Sequence, residues 1–144
     1  MFNIFKRTSS FDDTAKQALV DALVEMLDAQ RSIAPNSPIE VGGHIKRKAL
    51  GYIYGFIDAA LTTLGQDMSD VSVGVPITFQ VLRHLFPGRE DEYLTFLRRN
   101  IAHDGVLLAG MMHGGQQYLD YMRPEMAGSA PMGFARFLID GDDP

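Results

Sequence analysis

Cysteine and tryptophan are both absent from this sequence of 144 residues. Without cysteine, disulfides, thiolate metal sites and cysteine nucleophiles are excluded. Long hydrophobic runs are also missing, because the longest uncharged stretch, 105–119, contains His113 and two glutamines. It falls short of the roughly 18 apolar residues that a membrane-spanning helix needs. The N-terminal residues do not have the form of a secretory signal. The sequence therefore predicts a cytoplasmic protein with no membrane span.

The chain also lacks an excess of basic residues, since its formal net charge is −5 at pH 7. Nucleic-acid-binding domains usually carry a clear basic excess, so this charge argues against a nucleic-acid partner. The sequence patterns of P-loops, dinucleotide-binding folds and serine hydrolases are missing as well. No catalytic residue and no cofactor are predicted, and a non-enzymatic protein is favoured over an enzyme.

Apolar residues at helical spacing are what the chain does contain. Hydrophobic residues make up 46% of the sequence, which is enough for one core without a metal or a disulfide. They recur three and four residues apart, which indicates amphipathic helices. We therefore predict an all-α fold, a single-domain bundle of four to five helices with a short C-terminal helix, over residues 1–144. Residues 1–9 and the acidic residues 140–144 are expected to be mobile.

Two long helices are predicted in the first half of the chain. The first runs over 11–31, and Ser9 or Ser10 is the candidate N-terminal cap, because each is followed by an aspartate three residues later. The second runs over 43–64, and Gly65 is expected to end it in a left-handed conformation.

A third helix is predicted to begin at a proline. Residues 71–75 suggest a short extended piece, and Pro76 is then placed as the first residue of the helix. Pro87 and Gly88 are expected to end it.

The stretch 89–122 has helical character throughout. One continuous helix of ~33 residues would be ~50 Å long and would overhang a domain of this size. Either the helix breaks, near Asp104 and Gly105 or near Gly114 and Gly115, or the overhang pairs with a second copy of the chain. A break or kink near Asp104 and Gly105 is favoured. A last short helix is predicted over 132–139.

A group of cations at the predicted start of the second helix is the first candidate site. It consists of Gly42, Gly43, His44, Lys46 and Arg47. Backbone amides at a helix N-terminus attract anions, and glycine permits their close approach. Cations at this place oppose the helix dipole unless an anion or an acidic side chain offsets them. The pattern indicates either a site for a phosphate or carboxylate group, or a solvated basic face whose glycines serve only the turn.

Two pairs of glycines form the second candidate, a surface for close packing or for an interface: Gly51, Gly55, Gly110 and Gly114. Each glycine inside a helix costs ~1 kcal/mol relative to alanine, so a packing reason is expected. The two stretches can pack on each other within one chain or between two copies. Internal packing is favoured, and a homodimer seam is the alternative.

Asp58 and His103 are predicted to be buried polar residues. A carboxylate in the apolar stretch around Asp58 needs a partner. The candidates for that partner are Arg83, His84, Arg98 and Arg99, and a position of Asp58 that faces solvent is the alternative. His103 is expected to be hydrogen-bonded at the helix break. His103 and His113 lie too far apart along one helix to share a metal ion, so no metal site is predicted.

These patterns favour a non-enzymatic helical protein-interaction module that is homodimeric and binds an unidentified protein partner. The alternative is a small anionic-ligand-binding protein or enzyme. It would use the segment Gly-Gly-His-Ile-Lys-Arg-Lys, 42–48, at the start of the second helix.

Overall fold

A computed structural model describes residues 11–123 and 131–142, and it confirms the predicted all-α class. Two strands and six helices occur in the described residues, in the order α1 (Asp13–Arg31), β1 (Glu40–Val41), β2 (His44–Ile45), α2 (Arg47–Thr63), α3 (Val71–Leu85), α4 (Glu90–Asn100), α5 (Gly105–Tyr121) and α6 (Gly133–Asp140). The strands form one antiparallel hairpin in which Glu40 faces Ile45. This hairpin has no counterpart in the sequence prediction.

Helix α2 is the centre of the bundle. Eleven of its 17 residues are buried, whereas an amphipathic surface helix buries only one stripe. The other helices supply apolar faces to it, including Leu23 and Leu27 from α1 and Phe134 from α6, all of which are 0–1% exposed. The short C-terminal helix predicted over 132–139 is α6, and Phe134 stacks on Tyr52 of α2 with ring centroids 6.1 Å apart.

The cap of α1 differs from the prediction. Asp12 accepts a hydrogen bond from the backbone amide of Ala15 at 2.9 Å, so it caps a helix that begins at Asp13. An aspartate that caps directly satisfies one of the amides that the first turn leaves free. Ser9 and Ser10 lie outside the described residues, as does the predicted arm 1–9.

The predicted start of the third helix is wrong. Helix α3 begins at Val71, and Asp70 caps it by accepting from the amide of Ser72 at 3.0 Å. Residues 71–75 are therefore helical rather than extended, and Pro76 lies inside the helix. The aspartate cap sets the start, and the proline removes only one helical hydrogen bond. The predicted end is confirmed, since α3 stops at Leu85 and Gly88 has a φ of 86°.

The predicted break in the stretch 89–122 is confirmed. Helix α4 ends at Asn100 and α5 begins at Gly105. Asp104 caps α5 by accepting from the amides of Val106 and Leu107 at 3.0 and 3.1 Å. Gly65 likewise ends α2 with the expected positive φ, 73°.

Candidate functional site

Gly42 and Gly43 occupy the turn of the hairpin, with φ values of 58° and 80°. Two consecutive residues with positive φ are what a tight two-residue hairpin requires, and glycine adopts them without strain. The predicted start of α2 at residue 43 is therefore wrong, because the glycines are used by the turn and the helix begins at Arg47.

The cations that follow are paired within the chain. Arg47 donates to Asp104 at 2.9 Å and to Asp142 at 3.3 Å. Asp142 also accepts from the backbone amide of Lys48 at 2.9 Å, which places a carboxylate at the positive end of the α2 dipole. The ammonium group of Lys46 donates to the carbonyl of Leu138. The acidic group that the cations at this helix end require is thus supplied by the C-terminal segment.

The contacts around Arg47 and Asp104 explain the shifts in the pKa values of these two groups. Burial raises the pKa of Asp104, but hydrogen bonds from Leu107, Arg47 and Val106 outweigh it and lower the pKa below its ordinary value. The hydrogen bond to Asp104 is the main cause that raises the pKa of Arg47. Both groups therefore stay charged at neutral pH, and Arg47 joins the first turns of α2 and α5 to Asp142.

A cleft of about 790 Å³ lies between the hairpin and α4. Its wall includes Gly43, His44 and Arg47 from the predicted site and Arg99 from α4, together with the acidic residues Asp91, Glu92 and Asp142. The structure thus brings three of the five predicted residues to one cleft. Gly42 and Lys46 do not line it.

The four predicted packing glycines meet at one helix crossing. A Cβ atom on Gly51 would lie 2.2 Å from the carbonyl oxygen of Leu107, and one on Gly55 would lie 1.9 Å from that of Met111. From the other side, a Cβ on Gly114 would lie 2.1 Å from the carbonyl oxygen of Tyr52. Gly110 packs on Lys48 in the same way, at 2.2 Å. The backbones of α2 and α5 therefore touch within one chain.

An apolar seam, most of it exposed, runs along α5 beside the face that packs on α2. We call it the α5 stripe, and its residues are Leu108, Met112, Gly115, Leu119 and Met122. The steps along it alternate between four and three residues, so the side chains line one face of the helix. Met112 is 75% exposed and Met122 is 55% exposed. Gln116, on the side of the same helix that faces away from α2, donates its amide to Asp120.

The two residues predicted to be buried polar groups are not fully buried. Asp58 is half-buried, and burial and then the charge of Asp67 raise the pKa of its carboxyl group. No ion pair of Asp58 is found in 11–123 or 131–142, so the predicted pairing with an arginine or histidine is wrong. His103 is exposed, because the turn between α4 and α5 leaves its side chain outside the core. His113 packs its ring edge-on against Phe137, with centroids 5.3 Å apart.

A cluster of buried polar side chains was not predicted from the sequence. Tyr52 donates to the side-chain oxygen of Gln117 at 2.6 Å, and that oxygen also accepts from the amide of Gly133 at 2.9 Å. The side-chain oxygen of Gln30 accepts from the next amide, that of Phe134, at 2.9 Å. Two glutamines thus satisfy the first amides of α6, which no cap of its own satisfies. Their partners lie in distant parts of the chain, so no local pattern marks them.

Comparisons with protein families, with curated proteins and with solved structures find no match for this chain. In the described ranges, each helix is too short or too polar to cross a membrane. The same ranges contain no group of three or more histidine, aspartate or glutamate side chains arranged to hold a metal ion. The functional argument therefore depends on the surfaces of this molecule alone.

Proposed function

We propose that the protein is a non-enzymatic interaction module that forms a homodimer through the α5 stripe. The observation that carries the proposal is the apolar seam on the exposed side of α5, with steps of four and three residues from Leu108 to Met122. This spacing is the one by which helices pair along a common seam. Contiguous apolar surface that stays exposed is a frequent mark of an interaction site.

The stripe suits a second copy of the same chain. It contains no charged side chain, so nothing on it selects a charged partner. Its order is nearly self-complementary, since an antiparallel copy that places Leu108 opposite Met122 also brings Met112 to within one residue of Leu119. Gly115 then lies near the two-fold axis of the pair. Antiparallel pairing also sets the two helix dipoles in the favourable orientation.

Replacing Met112 with lysine is expected to weaken the dimer by about a hundredfold or more, because each copy would bury an unpaired ammonium group against the apolar side chain of the partner's Leu119. The measurement is sedimentation velocity over a range from micromolar to millimolar concentration. Val41→Lys is the matched control, because Val41 is also exposed, at 56%, but lies on the hairpin. Both variants change the net charge equally, so a difference in their dimer affinity depends on where the lysine lies and not on its charge. A wild-type chain that stays monomeric at millimolar concentration would refute the proposal.

Disulfide cross-linking can show whether the two α5 helices pair antiparallel or parallel. The chain contains no cysteine of its own, so each introduced cysteine can react only with its counterpart in the other copy. In the antiparallel arrangement Gly115→Cys should form an intermolecular disulfide under mild oxidation, since each copy places this residue beside itself. Met112→Cys should not, because its neighbour in the partner is Leu119. Cross-linking of both variants would instead indicate parallel pairing.

A second candidate function is the binding of a small anion in the cleft between the hairpin and α4. The observation that favours it is that His44 and Arg99 line this cleft without taking part in an ion pair among the described residues. If the cleft binds inorganic phosphate, phosphate should raise the melting temperature, and the double variant His44→Gln, Arg99→Gln should lose that rise. Arg83→Gln, on the exposed side of α3, is the control. Equal responses from the wild type and the double variant would exclude this site.

A further inference from the structure

A small cavity of about 180 Å³ lies between α2, α3 and α4, away from both surfaces considered above. Most of its wall is apolar and includes Met68, Val75, Leu94 and Ile101. An apolar cavity of roughly 150 Å³ is large enough to bind benzene. The size and the wall together fit a single aromatic ring or a branched aliphatic group of similar volume.

The deep polar group of this cavity is the hydroxyl of Thr78. Thr78 lines the cavity and is 1% exposed. Within the described residues its Oγ1 atom has no hydrogen-bond partner. Buried hydroxyl groups in folded proteins nearly always have a partner, because leaving one without a partner costs roughly 1–3 kcal/mol. A bound molecule with a hydroxyl group at this place would remove that cost.

The second polar group of the cavity is the guanidinium of Arg98. Arg98 also lines the cavity, and its side chain is exposed. The charge of Arg98 acts on this wall. Burial raises the pKa of the neighbouring Tyr54, and the positive charge of Arg98 opposes that rise. No carboxylate in 11–123 or 131–142 forms an ion pair with Arg98. Arginine recognises carboxylates by two parallel hydrogen bonds, so an anionic group on a ligand has a partner here.

We propose that this cavity binds a small aromatic carboxylate whose ring carries a hydroxyl group. The ring packs among Met68, Val75 and Leu94, the hydroxyl group pairs with Thr78, and the carboxylate pairs with Arg98. Each part of the ligand thus corresponds to one feature of the cavity wall. The site is separate from the α5 stripe, so it stands or falls independently of the homodimer.

Three probes test the assignment by titration followed in backbone amide NMR spectra. Para-hydroxybenzoate carries both polar groups, benzoate lacks the hydroxyl group, and para-cresol lacks the carboxylate. We expect para-hydroxybenzoate to bind most tightly, with each of the others weaker by up to about tenfold, since each loses one hydrogen-bonding group. The shifted amides should lie in α3 and α4. Absence of binding by all three probes, or equal affinities for them, would overturn the proposal.

Two variants assign the polar contacts. Thr78→Val keeps the shape of the side chain and should weaken para-hydroxybenzoate to the affinity of benzoate, while leaving benzoate unchanged. Arg98→Gln should weaken both carboxylates by about tenfold and leave para-cresol unchanged. Arg83→Gln is the matched control, because Arg83 is exposed on α3 and lines neither this cavity nor the other cleft. Thr78→Val should also raise the melting temperature of the free protein. If it lowers the melting temperature and leaves para-hydroxybenzoate affinity unchanged, a buried water is the partner of Thr78 and the proposed site is refuted.

Discussion

Gly114→Ala is expected to destabilise the protein by about 3 kcal/mol, although alanine is the better helix former by about 1 kcal/mol. The added Cβ would lie 2.1 Å from the carbonyl oxygen of Tyr52, which is backbone and cannot move without the helix. Steric overlap therefore outweighs helix propensity. Urea denaturation, followed by circular dichroism, measures the free energy of unfolding.

The adjacent residue provides the control for this substitution. A Cβ on Gly115 would lie 3.5 Å from the nearest atom, the carbonyl oxygen of Gly55, which is an ordinary contact. Gly115→Ala should therefore leave the monomer unchanged or stabilise it by up to about 1 kcal/mol. Gly105→Ala, where nothing lies within 4 Å, should behave in the same way. If Gly114→Ala proves as stable as Gly115→Ala, the backbones of α2 and α5 do not touch at Tyr52.

Raising the pH from 10 to 12 is expected to lower the free energy of unfolding by about 4 kcal/mol through two tyrosines. Burial raises the pKa of Tyr52 to about 12 from its ordinary value of 10.0. The pKa of Tyr93 is also raised to about 12, by burial and by its hydrogen bond to Glu40. The folded state keeps both protons where the unfolded state has lost them. The contribution is therefore fully present below pH 10 and is lost as pH rises to 12.

Tyr52→Phe separates this effect from other alkaline titrations. At neutral pH the variant should be less stable by about 1 kcal/mol, because Gln117 loses the hydroxyl group that donates to it. Its stability should fall less steeply above pH 10, so that the variant becomes more stable than the wild type near pH 12. Tyr121→Phe, at a residue 39% exposed, is the control and should follow the wild type. Parallel stability curves for Tyr52→Phe and the wild type would contradict the assignment.

The helices of this fold could be predicted where local signals agree. The apolar spacing placed α1 and α2, and the length of the stretch 89–122 favoured the break that Asp104 provides. At α3 two local signals compete, since both Asp70 and Pro76 are typical of helix starts. The aspartate lies first along the chain and caps the helix, and a proline early in a helix removes only one hydrogen bond.

The candidate sites were less predictable, because they depend on contacts between distant residues. The cations at the start of α2 suggested a bound anion. The carboxylate of Asp142, 95 residues from Arg47, occupies the position expected for that anion. The side-chain oxygens of Gln30 and Gln117 likewise accept hydrogen bonds from amides of α6. The α5 stripe is different, because its spacing is visible in the sequence. Its exposure could be known only once the glycines had fixed which side of α5 faces α2.

The crossing glycines also set the route of the chain. The contact from Gly51 to Leu107 is followed, four residues later on both helices, by the contact from Gly55 to Met111. Helices α2 and α5 therefore run in the same direction. A chain that leaves the far end of α2, roughly 25 Å from its start at 1.5 Å per residue, must travel back before α5 can begin beside it. The chain between α2 and α5, which contains α3 and α4, provides this return and lets two parallel neighbours form within one chain.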